Sequence, residues 1–230
     1  MLIDKVSYTN PIKNINPGVK FILSMTTLVF LLYTGSKIVF VFNFILFNLL
    51  LLFVVKVKIG DLLKLNFIPA LFILTTVISL LFIKADIWTF LLRSFSSIAV
   101  VYFLICSTPI IDLDYIFAKL KFPKIFREMF LLIYRYIFLL FENKEKLHNA
   151  QEVRLGYSSF KNGMKSFPML VVAILKKTYY YNLNSIKAVE SRMGKDFIFS
   201  QRKYKKIGFE IIFVIILFAI NLYLVVKYNA

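Results

Sequence analysis

Several kinds of residue are nearly missing from this 230-residue chain, and each shortage excludes something. Its one cysteine, Cys106, cannot form an intramolecular disulfide. Set in LICSTPII at the end of an apolar run, that cysteine reads as a small packing residue. The one histidine, His148, leaves no histidine cluster for zinc or nickel. Among the 7 glycines there is no Gly-x-x-x-x-Gly-Lys-Ser phosphate loop, so the chain should not hydrolyse a nucleoside triphosphate itself. Charged residues make up only 18%, against roughly a quarter in soluble domains. What fills the gap is apolar: 60% of the chain, arranged in long blocks that no soluble core could bury together but that a bilayer solvates directly. The class is a polytopic membrane protein.

The apolar blocks predict helices, because unpaired backbone is intolerable in hydrocarbon and the runs exceed the length of a barrel strand. Four come early: Phe21 to Thr34, extended back by Val19; Ile38 to Val55; Phe67 to Ile83; and Ile87 to Ser107. A fifth, Ile207 to Val226, closes the chain. The first follows a polar, turn-rich lead and precedes further spans, so it reads as a retained anchor and not a cleaved signal peptide. Short connections join the early spans: Gly35-Ser36-Lys37, Lys56 to Lys64, and Lys84-Ala85-Asp86. Pro69 is placed near the start of the third span, where a missing amide costs little.

Basic residues alternate between connections. Lys5, Lys13 and Lys20 precede the first span and Lys56, Lys58 and Lys64 lie between the second and third; the intervening connections carry only Lys37 and Lys84. That asymmetry puts the N-terminus in the cytoplasm and, with five spans, the C-terminus outside. Residues 112–206 hold 19 basic and 8 acidic side chains and fall on the cytoplasmic side by the same alternation. Such a region suits anionic lipid headgroups. The expected division is 1–107 (four spans), 108–206 (cytoplasmic), and 207–230 (final span and tail).

Within the cytoplasmic region, a short helix from Leu113 to Leu120 is expected to stop at the LKFPK segment around Pro123. A long helix follows from Lys124 to about Arg154, apolar in its first half and polar in its second. Arg135 in the apolar half either snorkels to headgroups or pairs with Glu128 or Glu142. A second long helix, from about Phe167 beside Pro168 to Arg192, is expected after a polar turn containing Gly163. Tyr179, Tyr180 and Tyr181 suit a headgroup boundary or a protein contact; adjacent along a helix, they could not all stack on one nucleic-acid strand. Both long helices end in a matching segment, Glu152-Val153-Arg154-Leu155-Gly156 and Glu190-Ser191-Arg192-Met193-Gly194. Each glycine can take the left-handed cap position, and each arginine sits near the terminal carbonyls. The functional alternative is that both arginines project into acidic grooves of a partner, where the guanidinium fork binds a carboxylate through two donors.

The run from Pro123 through FREMFLLIYRYIFLLFENKEKLHNAQEVRLGY, the later KAVESRMG, and the lead-in Asn10-Pro11-Ile12 with Asn16-Pro17-Gly18-Val19-Lys20 resemble the transmembrane T component of energy-coupling factor transporters, in its cobalt and nickel branch, CbiQ. The likeness extends over nearly the whole hydrophobic layout and is most specific over 123–157 and 186–194. It implies an all-α scaffold of about five transmembrane helices with two long coupling helices, in a prokaryotic cell membrane. It also implies two ABC-type ATPases as partners, which hold the ATP and magnesium, and a small membrane subunit that captures substrate, with cobalt or nickel the cargo this branch points to. The family's arginine-centred motif, commonly Ala-Arg-Gly, falls on Val153-Arg154-Leu155 and Ser191-Arg192-Met193. Neither flank is alanine and each glycine comes one place later, so the local helix-end geometry need not follow the family's. In the implied mechanism, closure of the ATPases draws the arginine-bearing tips together, and the helices pass that motion to the membrane bundle.

Two other classes are open to a chain of this composition, a stand-alone secondary transporter and a membrane enzyme. Carboxylates are missing from the candidate spans except for Glu210, which reads as interfacial. Arg93 is the one charge inside a span that suits either alternative, and its position also permits snorkelling toward the outer face.

Overall fold

A computed structural model of the chain describes residues 2–83, 86–191, 204 and 208–228. All regular structure among these residues is helical: α1 (Leu2–Thr9), α2 (Pro17–Tyr33), α3 (Lys37–Leu49) continued by a π-helical turn (Leu50–Val54), α4 (Ile59–Ile83), α5 (Ile87–Ser107), a 3-10 turn (Ile110–Asp112), α6 (Leu113–Lys119), α7 (Lys124–Val153), α8 (Phe160–Ser191) and α9 (Phe209–Tyr228). Among the described residues, the segments Lys37–Val54, Ile59–Phe82, Ile87–Ser107 and Ile211–Tyr228 are long and apolar enough to cross a bilayer, and Pro17–Tyr33 is a shorter apolar helix. The chain is an all-α polytopic membrane protein. It divides into two compact units, Met1–Ile116 with Arg202–Ala230, and Phe117–Gln201.

The first unit is organised by the ends of its helices. Asn16 caps α2, its side-chain oxygen accepting from the Gly18 amide at 2.9 Å, with Pro17 at the first helical position where no amide is needed. The last carbonyls of α5 lack helical partners and are met from the N-terminal lead. Asn10 donates to the Cys106 carbonyl at 2.9 Å, and the Lys20 ammonium donates to the carbonyls of Ser107 at 2.8 Å and Ile12 at 2.7 Å. The two Asn-Pro segments thus tie the lead to the end of α5. Helix α1, which packs on α5, was not anticipated from the polar N-terminal sequence.

Helices α2, α3, α5 and α9 enclose a core that includes Leu31, Val39, Phe40 and Val100. Ring contacts fasten them, Phe47 to Phe103 between α3 and α5 and Phe30 to Phe218 between α2 and α9. Cys106 is free and fully buried in this core, as a packing residue should be. A buried polar contact crosses it: the Asn43 amide of α3 donates to Asn221 of α9 at 2.7 Å, both side chains buried. Arg93 reaches toward the end of the bundle where the Gly35-Ser36-Lys37 connection lies, the direction the snorkelling reading expected. Its guanidinium donates at 2.6 Å to the Thr34 carbonyl at the end of α2 and lies over the Phe40 ring, so it serves a helix C-terminus.

Helix α4 corrects the expected third span. It begins at Ile59, because the Lys58 carbonyl accepts from the amides of Asp61 and Leu62 and starts the helical ladder inside the presumed connection. Pro69 is therefore an interior residue, and its ring nitrogen cannot donate to the carbonyl four residues back, that of Leu65. The Tyr102 hydroxyl of α5 donates to that carbonyl at 2.6 Å. A neighbouring helix thus restores what the proline removes, as hydrocarbon requires. For the last span, α9 runs from Phe209; Ile207 and the side chain of Glu210 lie outside what is described.

Candidate functional site

The second unit is built on the α7 and α8 pair. Helix α6 ends with Lys121 in the left-handed region (φ 59°), the Phe122 amide donating to Phe117 and the Lys121 amide to Ala118. This is a Schellman stop, and its usual apolar contact is present as the Phe117 and Phe122 rings, 5.4 Å apart. Pro123 then precedes α7. Across the pair, the Tyr136 hydroxyl donates to the Asn182 side chain, and Leu131, Asn143 and Leu170 are buried. The carboxylates once considered for Arg135 have partners one turn away: Glu128 pairs with Lys124 at 3.5 Å and Glu142 with Lys146 at 2.5 Å. The Lys146 hydrogen bond holds the Glu142 carboxyl below its ordinary range. Arg135 is exposed instead.

Helix α8 starts at Phe160, seven residues before the expected position. Ser159 caps it, its hydroxyl accepting from the Asn162 amide at 3.3 Å while its carbonyl accepts from Gly163 at 2.9 Å. Gly163 is therefore helical and Pro168 lies inside the helix.

Between the two helices, the end of α7 is held by a second Schellman stop. The Leu155 amide donates to Glu152 and the Gly156 amide to Gln151, each at 2.9 Å. The left-handed residue is Leu155, at φ 58°, and not Gly156 as the sequence suggested. Glycine is required at 156 for space: an added Cβ would lie 2.9 Å from both the Gln151 carbonyl oxygen and the Ser166 hydroxyl. Three polar contacts brace the turn. Ser166 donates to the Gly156 carbonyl at 2.8 Å, Gln151 to the Ser166 carbonyl at 3.2 Å, and Tyr157 to the Gln151 side chain at 2.8 Å. The His148 and Tyr157 rings stack at 4.7 Å. None of Gln151, Tyr157 or Ser166 stood out in the sequence, since a shared turn joins them and no motif does.

The result is a fixed tip with an exposed crown. Glu152, Val153, Arg154 and Leu155 are all exposed, Val153 at 85% and Leu155 at 70%, so Arg154 presents its guanidinium between two bare aliphatic side chains. Such a surface is suited to recognition, by a cation with apolar flanks, and Arg and desolvated apolar anchors are the residues that dominate protein interfaces. In the second segment, Glu190 is exposed in the last turn of α8; Arg192 and Gly194 lie outside the described residues. Among the described residues, no three His, Cys, Asp or Glu side chains come together as a metal site would require.

The apolar helices define a multi-pass helical membrane protein, and α7 and α8 form a long helical pair with an exposed arginine at its turn. The family model for CbiQ, described as cobalt transport protein, matches residues 87–204, and the chain belongs to that family. An uncharacterized protein of Methanocaldococcus jannaschii is 30% identical over 200 residues, 77% of this chain and 75% of that protein. A putative fused cobalt transport protein CbiMQ of Methanocorpusculum labreanum is 37% identical over 87 residues, 38% of this chain and 14% of that protein. The cobalt transport protein CbiQ of Salmonella typhimurium is 30% identical over 78 residues, 34% of this chain and 35% of that protein. The matched region of these two named relatives is thus well under two thirds of their length.

Proposed function

We propose that this chain is the membrane scaffold of an energy-coupling factor importer, and that cobalt or nickel is the cargo. Two ABC-type ATPases, which bind and hydrolyse ATP with magnesium, engage Arg154 and Arg192, and their closure is passed through α7 and α8 to a small substrate-capturing membrane subunit. The chain itself performs no catalysis. The N-terminus and residues 108–206 face the cytoplasm, in keeping with the alternation of basic connections. The observation that carries this reading is the tip at Arg154, exposed between Val153 and Leu155 on a stop that two backbone hydrogen bonds and Ser166 hold rigid. A coupling contact has to transmit displacement without absorbing it, and a frayed helix end would not. The names of two relatives support cobalt as the cargo, nickel resting on the resemblance alone, and the fused CbiMQ relative supports a dedicated membrane companion.

The test is purification of the tagged chain from its native membrane. Two ATPase chains and a small membrane protein should co-purify, and Arg154→Ala with Arg192→Ala should abolish ATP-dependent uptake. Full assembly and transport in the double variant would sink the coupling role. Uptake by the purified chain alone in vesicles would replace it with secondary transport.

A further inference from the structure

We infer that the face of α8 turned away from α7 is a docking surface for anionic phospholipid headgroups. Steps of three and four residues place Lys161, Lys165, Met169, Val172, Lys176 and the Tyr179-Tyr180 pair along one ridge of this helix, and Lys187 rejoins it two turns later beyond the half-buried Leu183, a ridge of roughly 39 Å. Every one of these side chains except Leu183 is exposed, while Leu170, Ser166 and Asn182 on the other side are turned into the hairpin. No carboxylate interrupts the ridge until Glu190 at its far end.

The order of side chains identifies the partner. Lysines flank a methionine and a valine, then two tyrosines, so a flat ligand of negative charge alone would leave the apolar groups bare. A bilayer surface takes both: the ammonium groups reach phosphate oxygens, and the methyl groups and rings settle at the boundary beneath them. The chain is anchored at a bilayer by its apolar helices, so lipid is a ligand it need not encounter from solution. The ridge shares no residue with the tip at Arg154, and the inference does not depend on ATPase coupling.

The full-length chain can be tested with Cys106→Ser and Val172→Cys, the new thiol carrying an environment-sensitive fluorophore, in nanodiscs of phosphatidylcholine with or without phosphatidylglycerol. With phosphatidylglycerol, the label should shift to the blue and be quenched by brominated acyl chains, and added salt should reverse both changes. Replacing Lys161, Lys165, Lys176 and Lys187 by glutamine should weaken the response by about fivefold per lysine, while arginine at the same positions should preserve it. Identical label environments in the two kinds of disc would overturn the inference, and so would a glutamine variant that responds like its parent. Protection of the label only when an ATPase partner is added would assign the ridge to protein docking instead.

Discussion

Three described residues other than glycine have positive φ, Lys56, Lys121 and Leu155, and each follows the end of a helical segment. A left-handed residue bearing a Cβ costs roughly 1–2 kcal/mol, so Leu155→Gly should stabilise the end of α7 by about 1 kcal/mol. It should also remove one flank of Arg154 and, on the proposed coupling role, weaken recovery of the ATPases. Gly156→Ala should act the other way, since its methyl would press on a backbone carbonyl that cannot rotate aside; a loss of about 1–3 kcal/mol is expected. Hydrogen exchange at the amides of 155 and 156 would measure both effects. At Asp86, the Thr89 hydroxyl and then Lys37 hold an exposed carboxyl below its ordinary range. A depressed acid contributes stability above its unfolded pKa and loses it as pH falls through the folded value. Wild type should therefore lose an advantage over Asp86→Asn below about pH 4, as seen in acid melting curves.

The helices themselves were largely legible in the sequence, because runs such as Ile38 to Val55 and Ile87 to Ser107 are too apolar and too long for any other structure in a bilayer. Two helix starts were misplaced for one reason. The sequence reading puts Gly163 in a turn and Pro168 and Pro69 near helix starts, whereas the outcome is decided by what lies nearby: a serine cap at 159, and a hydroxyl on another helix at 102. The same holds at the site. Arg154 could be placed at a helix end from periodicity and a following glycine, but the bracing by Gln151, Tyr157 and Ser166 arises only once two helices meet. Tyr102→Phe should leave the Leu65 carbonyl unpaired and cost about 1–3 kcal/mol. Pro69→Ala restores the helical amide, so the double variant should recover most of that loss in a double-mutant cycle of unfolding in detergent.

At the scale of the molecule, the final helix returns to the bundle, where Asn221 receives the hydrogen bond of Asn43. Asn43→Leu should cost about 1–2 kcal/mol and loosen α9, while Asn43→Leu with Asn221→Leu should be milder than either alone; cysteine crosslinking between α3 and α9 would report it. The distance in sequence between these partners, 178 residues, gives the contact a second meaning. During synthesis Asn43 reaches the membrane long before Asn221 exists, and it must wait there through the making of α7 and α8. The bundle can lock only after the hairpin has been translated. A ribosome that stalls before α9 leaves behind a chain in which one Asn43 amide hydrogen is held by the Val39 carbonyl of its own helix and the other has no partner in hydrocarbon, a mark by which a membrane protease could tell an unfinished copy from a finished one.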